Sequence, residues 1–205
     1  MGLILWTDTF SQTNLYENPE FDRIAIEHQE IAIIPFRTSI TLRPLLMRDI
    51  SSEQLDRMEE SEGQSIQAAM YSWFLKREKR GSLTVKVQSP SETNAKLKKA
   101  GVNYANFEGF TPVELANILD VDAVIMGTFE TNKPMSEAAS VALGVLVGFY
   151  GITNEAVLNM SIFDRKEGDL LVNYNKAVAG SMGSSTEKLI NVLMRKASRR
   201  IAYTK

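Results

Sequence analysis

The chain contains no cysteine among its 205 residues. That excludes disulfides, thiolate metal sites and a cysteine nucleophile, and with them a lipid-modified cysteine within this chain. Histidine is nearly absent too: any multi-histidine metal site or Ser-His-Asp triad would have to be built on His28 alone. His28 lies in IAIEHQEIAIIPF beside Glu27, Gln29 and Glu30, a setting that predicts a solvated linker histidine. Charge of one sign is lacking as well. Lys+Arg total 23 against 25 Asp+Glu, and a net charge of −2 gives no general pull toward nucleic acid or anionic membrane. No apolar run reaches the ~20 residues that a transmembrane helix needs. What remains is 44% hydrophobic and 23% charged, an ordinary globular composition on a chain long enough to bury one full core.

The best-signalled stretch is Thr111 to Thr131, TPVELANILDVDAVIMGTFET. Thr111 and Glu114 form a capping box, and Pro112 occupies the first helical position, where a missing N–H costs nothing. Val113, Leu115, Ala116, Ile118 and Leu119 supply the apolar face of a short helix. Ala123 to Met126 is then apolar without alternation, as in a strand covered on both faces. Gly127 and Thr128 mark a point where another segment can approach the backbone closely.

Residues 1–30 read as an extended arm, with a short helix over Pro19 to Ile26. The opening Gly-Leu-Ile-Leu-Trp has neither a basic flank nor a cleavage site, so it is not a signal peptide; it reads as the stub left by a removed targeting segment or as an expression scar. Ile31 to Phe36 is a strand whose pairing Pro35 can end, and residues 37–50 are expected to be a linking loop. Ser51 to Arg80 is a long helix with a Ser51–Gln54 capping box, in which Gly63 is expected to introduce a kink or a split. Lys76, Arg77, Lys79 and Arg80 suit the negative end of its dipole better than a phosphate or nucleic-acid patch. Leu83 to Gln88 alternates as a half-buried strand, and Ser89-Pro90-Ser91-Glu92 caps a short helix that stops at Gly101.

Residues 132–154 form an apolar insert, NKPMSEAASVALGVLVGFYGITN. Three readings fit its core from Ala138 to Ile152: a buried or lid-like helix, an apolar hairpin meeting a membrane or partner, or a helix–helix contact through Gly144 and Gly148. Ala156 to Phe163 and Leu170 to Val178 predict an antiparallel hairpin across the polar connector Asp164 to Asp169. Leu158, Met160 and Ile162 would share one face of it, as would Leu170, Val172 and Tyr174. The loop Gly180 to Lys188 does not match a phosphate-binding loop. Ser184 and Glu187 instead cap a last helix running through Leu193, Ala197 and Ile201.

Three of these texts carry a family resemblance: the opening strand Ile31 to Phe36, the helix and strand of Val113 to Thr128, and the hairpin of Val157 to Val172. With the element order, they resemble the envelope family that includes the curli-secretion channel lipoprotein, the lipoprotein activators of penicillin-binding proteins and the amino-terminal domain of the TolB translocation protein. The resemblance implies an α/β fold, with α+β as the alternative: a single mixed sheet of about five strands flanked by helices, as one domain over residues 31–205. It also implies a non-enzymatic scaffold on the periplasmic side of the bacterial envelope, anchored to the outer membrane by an amino-terminal lipid in its native form and often oligomeric. Channel-forming members insert two membrane hairpins; Ala138 to Ile152 lies where the first would be, and too few residues follow Val178 for the second. That departure favours a soluble periplasmic member.

Surface contacts with envelope proteins or with other copies of the chain are therefore the expected function, in secretion or envelope biogenesis. No cofactor, metal, catalytic residue or nucleic acid is expected, and membrane contact comes only through a lipid anchor or the insert. The expected interaction surface is Leu143, Gly144, Val145, Val147, Gly148, Phe149 and Tyr150. An alternative is a small-molecule-binding or enzymatic domain with a pocket under residues 138–152, in which Asp120 and Asp122 are the candidate acids; as a pair at a helix–strand junction they read better as solvated caps. A third reading is nucleic-acid binding through Arg195 to Arg200, which strong salt dependence would mark.

Overall fold

The computed structural model describes residues 13–42, 44, 48, 50–132, 155–179, 191–197 and 203. In chain order the elements are β1 (Thr13–Glu17), α1 (Phe21–Ala25), β2 (Glu30–Ile33), β3 (Arg37–Ile40), α2 (Ser52–Glu78), β4 (Lys86–Val87), α3 (Pro90–Lys99), a 3-10 turn (Phe107–Gly109), α4 (Pro112–Leu119), β5 (Ala123–Thr131), β6 (Glu155–Asp164) and β7 (Leu170–Ala179). Residues 191–197 are helical. The fold is mixed α/β: one open sheet in the order β1-β7-β6-β5-β2-β4, with β3 also on β5. β2, β3, β4 and β5 are parallel where they pair, whereas β6, β7 and β1 join antiparallel.

Three of the expected helix caps form. Ser51 accepts the Gln54 amide and Gln54 returns the bond, which starts α2; Thr111 and Glu114 do the same for α4. Ser89 accepts the Glu92 amide and starts α3. Alternation along the sheet then sorts two cores. Ile31, Ile33, Ile125, Leu158, Met160, Ile162 and Tyr174 meet Ile66, Met70 and Phe74 of α2 and Leu193, Met194 and Ala197. On the opposite face Ala32, Ile34 and Val124 meet Leu97 of α3 and Leu115 and Leu119 of α4.

Seven strands stand where about five were expected, and both additions come from stretches without a local strand signal. β1, from the arm, pairs with β7 through Leu15 opposite Tyr174. β3 occupies the stretch read as a loop and continues β2 along the same side of β5. Ile33 pairs with Ile125 and Arg37 with Thr128, so Ile34, Pro35 and Phe36 lie opposite only Met126 and Gly127. This is a bulge, and Pro35, which has no N–H to donate, fits in it.

The bulge also accounts for Gly63. α2 is a single helix through that position, so the split expected as one alternative does not occur. A β-carbon on Gly63 would lie 2.1 Å from the Phe36 carbonyl oxygen. Across the bulge, a β-carbon on Gly127 would lie 2.5 Å from the Phe36 ring and 2.2 Å from the Asn159 carbonyl oxygen. The two glycines thus let helix, bulge and strand close on Phe36, and Gly127 has the close approach that its sequence position suggested.

The hairpin forms as expected, with one irregularity. Ile162 pairs with Val172 but Phe163 pairs with Leu170, which leaves Leu171 as the extra residue. Leu171 is fully buried, so it and not Leu170 joins Val172 and Tyr174 in the core. The strand expected over Leu83 to Gln88 keeps only Lys86–Val87 in the ladder. The apolar insert from residue 133 onward, the Gly180–Lys188 loop and most of the last helix lie outside the described residues.

Candidate functional site

His28 is not solvated. It is 7% exposed and sits between two buried partners contributed by distant parts of the chain. Its Nδ1 lies 2.7 Å from the Tyr203 hydroxyl and its Nε2 lies 2.9 Å from Asp164 Oδ1. Burial, with Asp164 and Asp122 nearby, pushes the Tyr203 hydroxyl far above its ordinary value, so it stays a donor. In the neutral imidazole, Tyr203 therefore donates to Nδ1 and the ring proton sits on Nε2, directed at Asp164. The other Asp164 oxygen accepts the amides of Lys166 at 2.7 Å and Glu167 at 3.0 Å. Tyr203 is fixed further by an edge-on contact with Phe21, at 5.2 Å between ring centroids, and by its carbonyl, which accepts the Thr84 amide at 3.0 Å.

The cleft outside this cluster is polar. Asp120 takes the left-handed conformation at the end of α4 and pairs with Arg165 at 3.0 Å. Asp122 accepts the amides of Gln29 at 2.7 Å and Glu30 at 3.0 Å, which fixes the start of β2. Lys166 bridges to Glu27, and each group shifts the other toward the charged form. Every carboxylate of the cleft named here thus holds a backbone amide or a cation, an arrangement that clasps chain segments together. Neither acid caps α4 through its side chain: Asp120 holds Arg165 and Asp122 holds the start of β2. Among the described residues no group of three or more His, Asp or Glu side chains is placed to hold a metal ion.

A second cavity lies at the carboxyl end of β2. The helix that follows β2 and its continuation β3, α2, covers one face of the sheet, and the connection leaving β4, α3, covers the other. Chains that leave adjacent parallel strands in opposite directions open a crevice, the usual ligand position in open α/β sheets. Here it measures about 360 Å³, with Ile34, Pro35, Leu97, Val102 and Phe107 as its apolar lining. Glu60 and Gln64 of α2 stand on one wall and Asn94 and Lys98 of α3 on the other, with Asn103 and Tyr104 closing the end.

The walls are locked to each other. Gln67 Nε2 donates to Asn94 Oδ1 at 3.0 Å and to the Ile33 carbonyl at 2.6 Å, and Asn94 returns a bond to Gln67 at 3.1 Å. Tyr104 accepts the Thr38 amide at 2.7 Å, its own carbonyl takes Arg37 at 3.0 Å, and burial raises its phenol above the ordinary value.

Beyond the cover of α3 and α4, the same sheet face turns polar. Cross-strand register lines up Thr128, Asn159, Asn175 and Asn14 in one row and Met126, Ser161, Asn173 and Tyr16 in the next. Asn159, Ser161, Asn173 and Asn175 are half-buried, and Thr128, Asn14 and Tyr16 are exposed. Asn173 donates to Asn159 at 3.0 Å and to Ser161 at 2.9 Å. The expected contact residues Leu143, Gly144, Val145, Val147, Gly148, Phe149 and Tyr150 lie outside the described residues, as does the pocket expected beneath residues 138–152.

No protein-family model and no curated protein sequence matches the chain. Among solved structures it is similar to the PelC dodecamer from Paraburkholderia phytofirmans, at 10% identity and TM-score 0.48 over 93% of this chain and 96% of that one. It is similar to lipoprotein GNA1162 from Neisseria meningitidis at 15% identity and TM-score 0.46, over 86% and 99% of the two chains. Similarity to the LpoB C-terminal domain from Salmonella enterica is 10% in identity with TM-score 0.35, over 78% and 93%. Likeness of this degree carries no argument about function.

Proposed function

We propose that the chain is a non-enzymatic scaffold of the bacterial envelope, native to the periplasmic side and held there by an amino-terminal lipid, that works through protein–protein contacts. The observation that carries this reading is the polar amide face of β1, β7, β6 and β5, whose residues are half-buried or exposed. Its rows of Asn, Ser, Thr and Tyr, poor in charge, are the residue types that suit a wet, adaptable protein interface. The three stretches bearing the family resemblance support it further, since they form adjacent strands β2, β5, β6 and β7 with α4 packed on them. Leu143, Gly144, Val145, Val147, Gly148, Phe149 and Tyr150 would add an apolar contact surface, and partners are envelope proteins or further copies of the chain.

A photo-crosslinker placed at Asn159 or Asn173 in envelope-expressed protein tests the reading. Discrete adducts with an envelope protein or a second copy are expected, and none from a crosslinker at Ser72 on the exposed side of α2. Absence of adducts from both the amide face and residues 143–150, together with turnover of a substrate by the purified chain, would overturn it.

A further inference from the structure

We infer that the crevice at the carboxyl end of β2 binds a small zwitterion with an apolar side chain: a free apolar or aromatic α-amino acid, or a peptide terminus that presents the same groups. At about 360 Å³ it lies near the small end of ligand pockets, large enough for such a molecule and cramped for a nucleotide. The inference goes beyond the scaffold reading and does not depend on it.

The chemistry of the walls sets the ligand class. The floor of Ile34, Leu97 and Phe107 is buried and apolar, and Tyr104 sits beside Phe107 with 5.7 Å between ring centroids. That surface takes a hydrocarbon or aromatic side chain. Charges of opposite sign stand on opposite walls, with the Glu60 carboxylate on α2 and the Lys98 ammonium on α3. Among the described residues Glu60 accepts only a neutral amide within its own helix, from Gln64 at 3.2 Å, and Lys98 has no ion-pair partner. An α-ammonium group directed to Glu60 and an α-carboxylate directed to Lys98 would satisfy both while the side chain enters the floor. The site is preorganised, because the Gln67–Asn94 amide pair fixes the spacing of the walls and is itself buried on the α2 side. Binding therefore orders little that is not already ordered.

The test is titration of the isotope-labelled chain with L-phenylalanine and L-leucine, read by amide chemical shifts. Saturable shifts confined to residues 34–35, 60–64 and 94–107 are expected at low-millimolar ligand. Lys98→Ala is expected to weaken binding about tenfold and to abolish the preference for L-phenylalanine over its amide, which lacks the carboxylate. Glu60→Gln should remove the preference over hydrocinnamate, which lacks the ammonium group. Leucyl-phenylalanine and its carboxyl-blocked ester separate a peptide terminus from a free amino acid. Both variants alter solvent-accessible side chains, and their unperturbed spectra elsewhere would certify the fold. No saturable shift for any of these ligands, or equal affinity in wild type, Lys98→Ala and Glu60→Gln, would overturn the inference.

Discussion

Replacing His28 by alanine would strip two buried groups of a partner at once. The Tyr203 hydroxyl would lose the acceptor it meets at 2.7 Å, and Asp164 Oδ1 would lose the donor at 2.9 Å. An unsatisfied buried polar group costs about 1–3 kcal/mol, more when charged, and the lost ring adds a small cavity. Together these give a destabilisation of about 4 kcal/mol. Tyr203→Phe in the wild-type background leaves only His28 Nδ1 unpartnered and should cost about 1.5 kcal/mol. In the His28→Ala background the same change deletes a hydroxyl that is already orphaned, so it should be neutral or restore up to about 1 kcal/mol. The double-mutant cycle then reads a coupling of about 2 kcal/mol between residues 175 positions apart. Urea unfolding followed by circular dichroism and tryptophan fluorescence measures it, and coincident transitions license a two-state treatment. With an m-value near 2.5 kcal/mol per molar, His28→Ala should lower the midpoint by about 1.5 M. If the two single changes add to within about 0.5 kcal/mol, the hydroxyl–imidazole bond contributes nothing and the account of the cluster fails.

Gly127→Ala would drive a methyl group against the Asn159 carbonyl and the Phe36 ring, and should cost about 3 kcal/mol in the same urea assay; an unchanged midpoint would mean that β5 and Phe36 have more room than described. Tyr104→Phe removes the acceptor of the buried Thr38 amide and should cost about 2 kcal/mol, with faster exchange of that amide in hydrogen-exchange measurements. Burial raises the Glu59 carboxyl above its ordinary value although it accepts the Ile40 amide at 3.0 Å. A raised folded-state value favours folding at low pH and is a penalty once pH exceeds it. Glu59→Gln keeps the acceptor without the charge, so it should match or exceed wild-type stability at pH 7, with the gap closing as pH falls through the carboxylate range. A variant less stable than wild type by a constant amount at every pH would contradict this. Thr111→Ala removes one side of the α4 capping box and should cost about 1 kcal/mol; no change in midpoint would mean that the cap seen at Glu114 adds nothing.

What the sequence made legible was decided within a few residues. The caps at Ser51, Ser89 and Thr111 each depend on a partner three positions on, and β5, β6 and β7 follow from patterns internal to each strand. β1 and β3 were opaque because neither TNLYE nor RTSI has a distinguishing pattern; their pairing is dictated by β7 and β5, more than 90 residues away. Gly63 has the spelling of a helix breaker but serves a packing need set by Phe36. His28 misled for a related reason. Its polar neighbours in sequence face solvent, whereas its ring turns inward to Asp164 and Tyr203, and no local signal announces a contact made across 136 and 175 positions. The crevice at β2 was hidden in the same way, since α2, α3 and the loop at Asn103 each supply a part that is unremarkable alone. A hint did exist in the order of elements, because helices flanking β4 on opposite faces imply a switch point beside β2.

The span of the His28–Tyr203 bond has a consequence for time. Joining positions 28 and 203 requires closing a loop of nearly the whole chain, and that entropy is recovered only after the intervening sheet and α2 have docked. The clasp therefore belongs to the late side of the folding barrier, and weakening it should leave the refolding rate almost untouched while accelerating unfolding. Its three buried groups act as a latch on an already assembled body, and they govern how long a folded molecule lasts, not how quickly one forms.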